Sequence, residues 1–191
     1  MGENGGGSTG DRDPDFDPEP EPEPESEPNP KSEWELDRLR TVADYQFGAG
    51  AGRALFPRSE SLDLRRSGSG RPRQVIADAG RVVSYGTDGL FTLGIEGGRR
   101  LADAFAPPRL RVVVGDESDA YVREGYNAFA KFVREVDPAI RPGDEVLVVG
   151  NDALLGVGRA ELSASAIEEF DTGMAVAIRE GAGSDTIRHD K

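Results

Sequence analysis

Arginine is the residue type here best placed to do chemistry, and it comes in clusters: Arg65-Arg66, Arg71-Pro72-Arg73 and Arg99-Arg100. Guanidinium groups grip phosphates, because each presents a planar fork of donors to paired oxygens. The first two clusters flank Ser67-Gly68-Ser69-Gly70, which reads as a flexible turn, so both are expected on a loop. Phosphate binding and plain solvation are both open readings for them. Bond-breaking chemistry has less to draw on. His189 is the single histidine, in a polar C-terminal stretch, and there is no cysteine. A Ser/His/Asp arrangement, a disulfide and a thiolate zinc site are therefore excluded. Asp144-Glu145 and Glu168-Glu169 are paired carboxylates, yet each has a structural explanation. Asp144 falls in the turn Arg141-Pro-Gly-Asp144, and Ser165-Ala-Ile-Glu168 matches a capping box. Gly48-Ala-Gly-Ala-Gly52 lacks the GxxxxGK[ST] pattern and the strand–loop–helix setting of a nucleotide cradle, so it reads as a turn or a tight contact. No cofactor and no metal are expected.

These residues need elements to position them. Trp34, Leu36, Leu39 and Val42 recur at helical spacing, which predicts a helix over about 33–44, with Ser32 as its cap. Residues 74–78, 81–85 and 90–95 read as three short strands separated by Ala79-Gly80 and Thr87-Asp88-Gly89. Gly97-Gly98 then precedes a helix over Arg99–Phe105. Together these make a small α+β unit over 33–106, closed by Pro107-Pro108.

The second unit, 109–181, is mainly β. Leu110–Val114 is a strand, and Ser118–Glu124 a short helix closed by Gly125. Alternation over Asn127–Val136 predicts one strand, with Phe129 assigned to the core. Val146–Val149 and Ala153–Val157 are apolar runs around a polar turn, as in a buried antiparallel pair. A short helix to Phe170 and a last strand, Met174–Ile178, complete a small barrel-like β fold. Residues 182–191 read as a frayed end.

Residues 1–32 differ in kind. They hold ten acidic and two basic residues, −8 of a total −13, and Glu alternates with Pro from Pro18 to Pro24. With almost no apolar residue, this segment cannot bury enough surface to offset its chain entropy, and it is expected to be a disordered acidic tail. The remaining −5 is mild, and its cations are arginines apart from Lys131 and Lys191. Acid excess suits a high-salt, halophilic cytoplasm and argues against RNA capture by bulk attraction, leaving local cations and stacking to contribute more. No apolar run approaches membrane-spanning length, so a cytoplasmic location is expected, with no membrane partner.

Residues 109–181 resemble the PUA domain. The resemblance is carried by Arg111-Val-Val-Val114 with Asp116-Glu117, Val122-Arg-Glu-Gly125, Ala128-Phe-Ala-Lys-Phe-Val133, Arg141-Pro-Gly-Asp-Glu-Val-Leu-Val-Val149, Leu154-Leu-Gly-Val-Gly-Arg159 and Gly173-Met-Ala-Val-Ala-Ile-Arg179. Upstream, Asp44-Tyr-Gln-Phe-Gly48, Leu55-Phe56, Arg71, Arg73 and Asp88-Gly-Leu-Phe-Thr-Leu93 resemble the small domain before PUA in archaeal archaeosine tRNA-guanine transglycosylases and archaeosine synthase. The resemblance implies a non-catalytic RNA-binding protein linked to tRNA modification, with the acceptor stem of tRNA as partner. That family's catalytic barrel and zinc cysteines have no counterpart here. The RNA-facing residues it implies are Arg123, Gly125, Tyr126, Asn127, Phe129, Lys131, Gly173 and Arg179, although the alternation favours the core for Phe129; Arg71 and Arg73 join them as candidate phosphate contacts from the arginine clusters. The family often has Lys where this chain has Tyr126. Gly125 has two equal readings, a helix cap or a point of close RNA approach. The alternative function is a protein-interaction subunit docking on a separate tRNA-modification enzyme.

Overall fold

The computed structural model describes residues 30–183, with side chains from Trp34 onward. The acidic segment before Pro30, and residues 184–191 with His189, lie outside the described residues. A helix, α1 (Pro30–Phe47), opens the fold and is longer than the 33–44 expected, so Ser32 lies inside it. Leu39, Ala43 and Phe47 form its buried stripe. Gly48, at φ 100°, ends it, and Gly50, at φ 96°, starts the short α2 (Ala51–Leu55). Both take left-handed backbone that glycine adopts without steric cost. The glycine run is thus a turn, and also a close contact, since a side chain at Gly52 would collide with the Arg40 backbone.

A four-stranded antiparallel meander follows: β1 (Asp63–Arg66), β2 (Pro72–Ala77), β3 (Gly80–Tyr85) and β4 (Phe91–Leu93). β1 corrects the expected loop, since Arg65 and Arg66 belong to a hairpin strand paired with β2. The next helix, α3 (Ile95–Ala104), contains Gly97 and Gly98, which were expected to precede it. They sit inside because neighbours press on them. A methyl at Gly97 would meet the Val82 carbonyl, and one at Gly98 would lie 2.5 Å from Val157 Cγ1.

The second unit is a barrel-like mixed sheet in the order β6-β10-β9-β8-β5-β7. Its strands are β5 (Arg111–Val114), β6 (Ala128–Phe129), β7 (Val133–Val136), β8 (Glu145–Gly150), β9 (Ala153–Ala160) and β10 (Met174–Gly181); only β5–β8 is parallel. Two helices complete it, α4 (Asp116–Arg123) and α5 (Ala164–Glu169). The cap of α5 is Ser163, whose hydroxyl accepts from the Ala166 amide at 3.2 Å, so the cap lies two residues before the expected Ser165. The single strand expected over 127–136 is broken by a 3-10 turn at Ala130–Phe132, so that β6 pairs with β10 while β7 pairs with β5.

β8 is buried along its whole length. Leu147 and Val149, with Val157, pack into the core of the first unit, while Val146 and Val148 face the core of the second. Polar ties reinforce this seam. Arg109 donates to the Phe47 carbonyl at 2.9 Å, Arg111 to the Ala102 carbonyl at 2.6 Å, and Arg81 pairs with Glu180. Glu145 is 6% exposed. It accepts from the Leu93 amide at 2.9 Å and from Arg179 Nη1 at 2.6 and 2.7 Å. Burial, the largest influence, nonetheless raises its pKa above the ordinary glutamate value.

Candidate nucleic-acid interface

The interface is built outward from the end of α4. Asp116, Glu117 and Asp119 occupy the first turn of this helix and Arg123 the last, matching the helix dipole at both ends. Gly125, at φ 92°, then reverses the chain. Its amide donates to the Val122 carbonyl and the Tyr126 amide to the Tyr121 carbonyl, both at 2.9 Å, which satisfies carbonyls the helix end would leave open. The reversal folds Tyr126 beside Tyr121, edge to face, with ring centroids 6.2 Å apart. Both rings remain exposed.

Asn127 ties this loop to the last strand, because its Oδ1 accepts from the Ile178 amide at 2.9 Å. Ala128 and Ala130 are the buried residues of the next stretch, and Phe129 is 45% exposed, which corrects its assignment to the core. The reason is close packing. β6 pairs Phe129 with Met174, and the Ala130 amide donates to the Gly173 carbonyl at 2.9 Å, so the inward side has room for alanine and not for a ring. Gly173, at φ 118°, makes the turn into β10. Lys131 is exposed, its ammonium 4.6 Å from the Phe132 ring centroid. It shares a groove of about 290 Å³ with Arg134, Glu168, Phe170 and Asp171. Phe170 is another exposed ring. Among the described residues, the side chains of Arg123 and Lys131 pair with no carboxylate.

The fold thus gathers Arg123, Gly125, Tyr126, Asn127 and Gly173 along the α4–β6–β10 edge, with Lys131 in the turn just after β6, facing the groove beside β7 and α5. Arg179 differs, since its guanidinium is committed to Glu145. Arg71 and Arg73 line a separate groove beside α1. Sequence reasoning missed Tyr121 and Phe170; for Phe129 the family resemblance pointed outward and the strand alternation inward. The available signal for Phe129 was its place between two alanines, where either phase of the alternation allowed a buried face.

The arrangement offers flat rings and unpaired cations on one edge and no cluster of carboxylates, histidines or cysteines able to hold a metal among the described residues. Such an edge suits unstacked bases and phosphates. Residues 37–108 match the patch-forming domain C2 of tRNA-guanine transglycosylase, and residues 110–182 match the PUA domain. The tRNA-guanine(15) transglycosylase of Thermococcus kodakarensis is 45% identical over 142 residues, which is 73% of this chain and 24% of that protein. The chain carries a C2 domain of the tRNA-guanine transglycosylase type followed by a PUA domain.

It spans about a quarter of the length of the curated relatives it matches. A hypothetical protein from Pyrococcus horikoshii shares the fold with a TM-score of 0.62 at 19% identity, covering 78% of this chain and 90% of that one. A conserved PUA domain protein from Thermoplasma acidophilum does so with a TM-score of 0.57 at 22% identity, covering 81% and 93%. The seam described above is therefore the C2–PUA contact, to which β8 of the PUA domain contributes Leu147 and Val149 and β9 contributes Val157. Among the described residues no helix is long and apolar enough to cross a membrane.

Proposed function

We propose that this C2–PUA chain is a non-catalytic RNA-binding protein that holds tRNA near the acceptor stem and serves tRNA modification in a salt-rich archaeal cytoplasm. The observation that carries the reading is the pairing of C2 and PUA domains at 45% identity with part of a tRNA-guanine(15) transglycosylase. The α4–β6–β10 edge supports it physically. Salt weakens phosphate contacts steeply, whereas stacking on Tyr126, Phe129 or Phe170 depends far less on charge. Arg123 and Lys131 then orient the backbone while the rings take bases, and Gly125 leaves open space beside the loop.

Filter binding with bulk tRNA at molar salt tests this directly. Saturable binding that is retained by an acceptor-stem minihelix, and lost in Arg123→Ala with Lys131→Ala, is the expected result. Absence of saturable binding at any salt overturns it. Recovery of a modification enzyme on this chain after nuclease treatment, with no tRNA affinity of its own, would instead favour the docking-subunit reading.

A further inference from the structure

The C2 domain carries a feature that the α4–β6–β10 edge does not use. A groove of about 510 Å³ runs between α1 and the start of β2 and end of β3 in the small sheet, lined by Arg38, Leu39, Val42, Arg71, Pro72 and Tyr85. A second, of about 350 Å³, shares Arg71, Pro72 and Tyr85 with it and adds Arg73. The two form one path. Its walls alternate apolar surface with guanidinium groups. Glu35 is the acidic residue on the wall, and it is bound by Arg66 of β1, whose hydrogen bond is the main cause of its lowered pKa. Among the described residues, Arg38, Arg71 and Arg73 pair with no carboxylate. Arg38 lies 4.8 Å over the ring of Trp34, which is itself exposed.

Among the described residues Arg71 and Arg73 have no carboxylate partner and Arg38 has only the through-space pull of Glu35, in a chain of net charge −13. The path combines aromatic and proline surface with cations. An extended proline-rich strand docks on aromatic-lined grooves through its preformed polyproline geometry, and carboxylates satisfy the guanidinium groups. This chain contains a segment of that chemistry, Asp17-Pro-Glu-Pro-Glu-Pro-Glu-Pro-Glu-Ser-Glu27, and it joins α1 at Pro30. The lengths agree. Arg38 lies about 12 Å along the helix from Pro30, and the eleven residues 17–27 span about 34 Å as polyproline, with alternate glutamates about 6 Å apart.

We propose that residues 17–27 of this same chain dock in the Arg38–Arg71–Arg73 groove, with their carboxylates on the guanidinium groups and their prolines against Trp34 and Tyr85. The segment then acts as a built-in polyanion that any phosphate backbone must displace from the C2 domain. It does so only at low salt, since screening at molar ionic strength weakens its hold. This inference does not rest on the RNA reading.

Trp34 is the chain's single tryptophan and stacks on Arg38 of the groove wall, so its fluorescence reports on the mouth of the groove. The full chain is compared with a variant carrying Gln at Glu19, Glu21, Glu23, Glu25 and Glu27, using acrylamide, an uncharged quencher. A tethered segment at about millimolar effective concentration is held for about half the time or more, so the quenching constant is expected to rise about twofold in the Gln variant. Raising salt from about 0.1 M to about 1 M should have the same effect on the parent chain and none on the variant. Arg71→Ser with Arg73→Ser should also open Trp34, and adding the Gln changes to it should do nothing further. Equal quenching of parent and Gln variant at low salt overturns the proposal. So does shielding that grows with protein concentration, which would place the segment on a second copy, or shielding that appears only with added tRNA.

Discussion

Glu145 makes two bonds of different kinds, one across the domain seam to Leu93 and one within the PUA domain to Arg179, and replacing it separates their contributions. In Glu145→Ala the Leu93 amide loses its acceptor in a buried site, which costs about 1–3 kcal/mol. The pair with Arg179 is also lost. Arg179 is 35% exposed and can turn to water, so breaking the pair costs less than the roughly 3–5 kcal/mol of a fully buried one, and about 1 kcal/mol is reasonable. The total of about 3 kcal/mol should lower the melting temperature by about 6–12 °C for a folded region of this size. Glu145→Gln keeps a carbonyl for Leu93 and removes only the charge. Burial already disfavours that charge, so Gln should cost under about 1 kcal/mol, or less than about 4 °C. The pH dependence follows from the raised pKa. Between the ordinary value of 4.5 and the raised one, the folded chain keeps a proton that the unfolded chain has lost. This contribution to stability is full below that window and lost as pH rises through it. In Gln the corresponding slope is absent. Thermal melts of parent, Ala and Gln from pH 4 upward read all three effects. If Gln melts as low as Ala, the ion pair outweighs the Leu93 bond and the reasoning fails.

Three further outcomes follow from the geometry. Gly97→Ala should destabilise by more than Gly98→Ala in equilibrium unfolding. Both gain about 1 kcal/mol of helix propensity, but the first methyl meets the Val82 backbone while the second meets the side chains of Val157 and Leu154. Gly125→Ala meets no atom within 4 Å, so its cost should be the left-handed backbone alone, about 1–2 kcal/mol by thermal melt. Unchanged tRNA affinity in that variant assigns Gly125 to capping, and a loss assigns it to close RNA approach. Tyr126→Ala with Phe129→Ala should leave the melting temperature nearly unchanged and weaken tRNA binding by about 1–3 kcal/mol per stacked base, a loss that persists at high salt.

Local chemistry made much of this fold legible. Gly125, Gly80 and Gly89 mark reversals because those positions need positive φ, and the apolar runs of β8 and β9 announce a buried pair. The failures share one cause, a partner distant in sequence. β1 reads Asp-Leu-Arg-Arg, with no strand pattern of its own, and becomes a strand because β2 lies beside it. Gly97 and Gly98 look like a break, yet β3 and β9 approach α3 so closely that glycine fits there best. In the candidate interface, the cations and glycines were readable from the motif set, whereas the outward turn of Phe129 depends on Gly173 crossing behind it. Arg179 could not be foreseen as the partner of Glu145, thirty-four positions away.

β8 also bears on how the molecule comes apart. Its two faces serve two interiors, so opening the C2 domain would leave Leu147, Val149 and Val157 uncovered on the PUA side. A cut near Pro107 would not release two self-sufficient pieces; it would leave one with a sticky stripe along its central strand. The pair is therefore expected to melt in a single transition by calorimetry, the two domains losing their structure together.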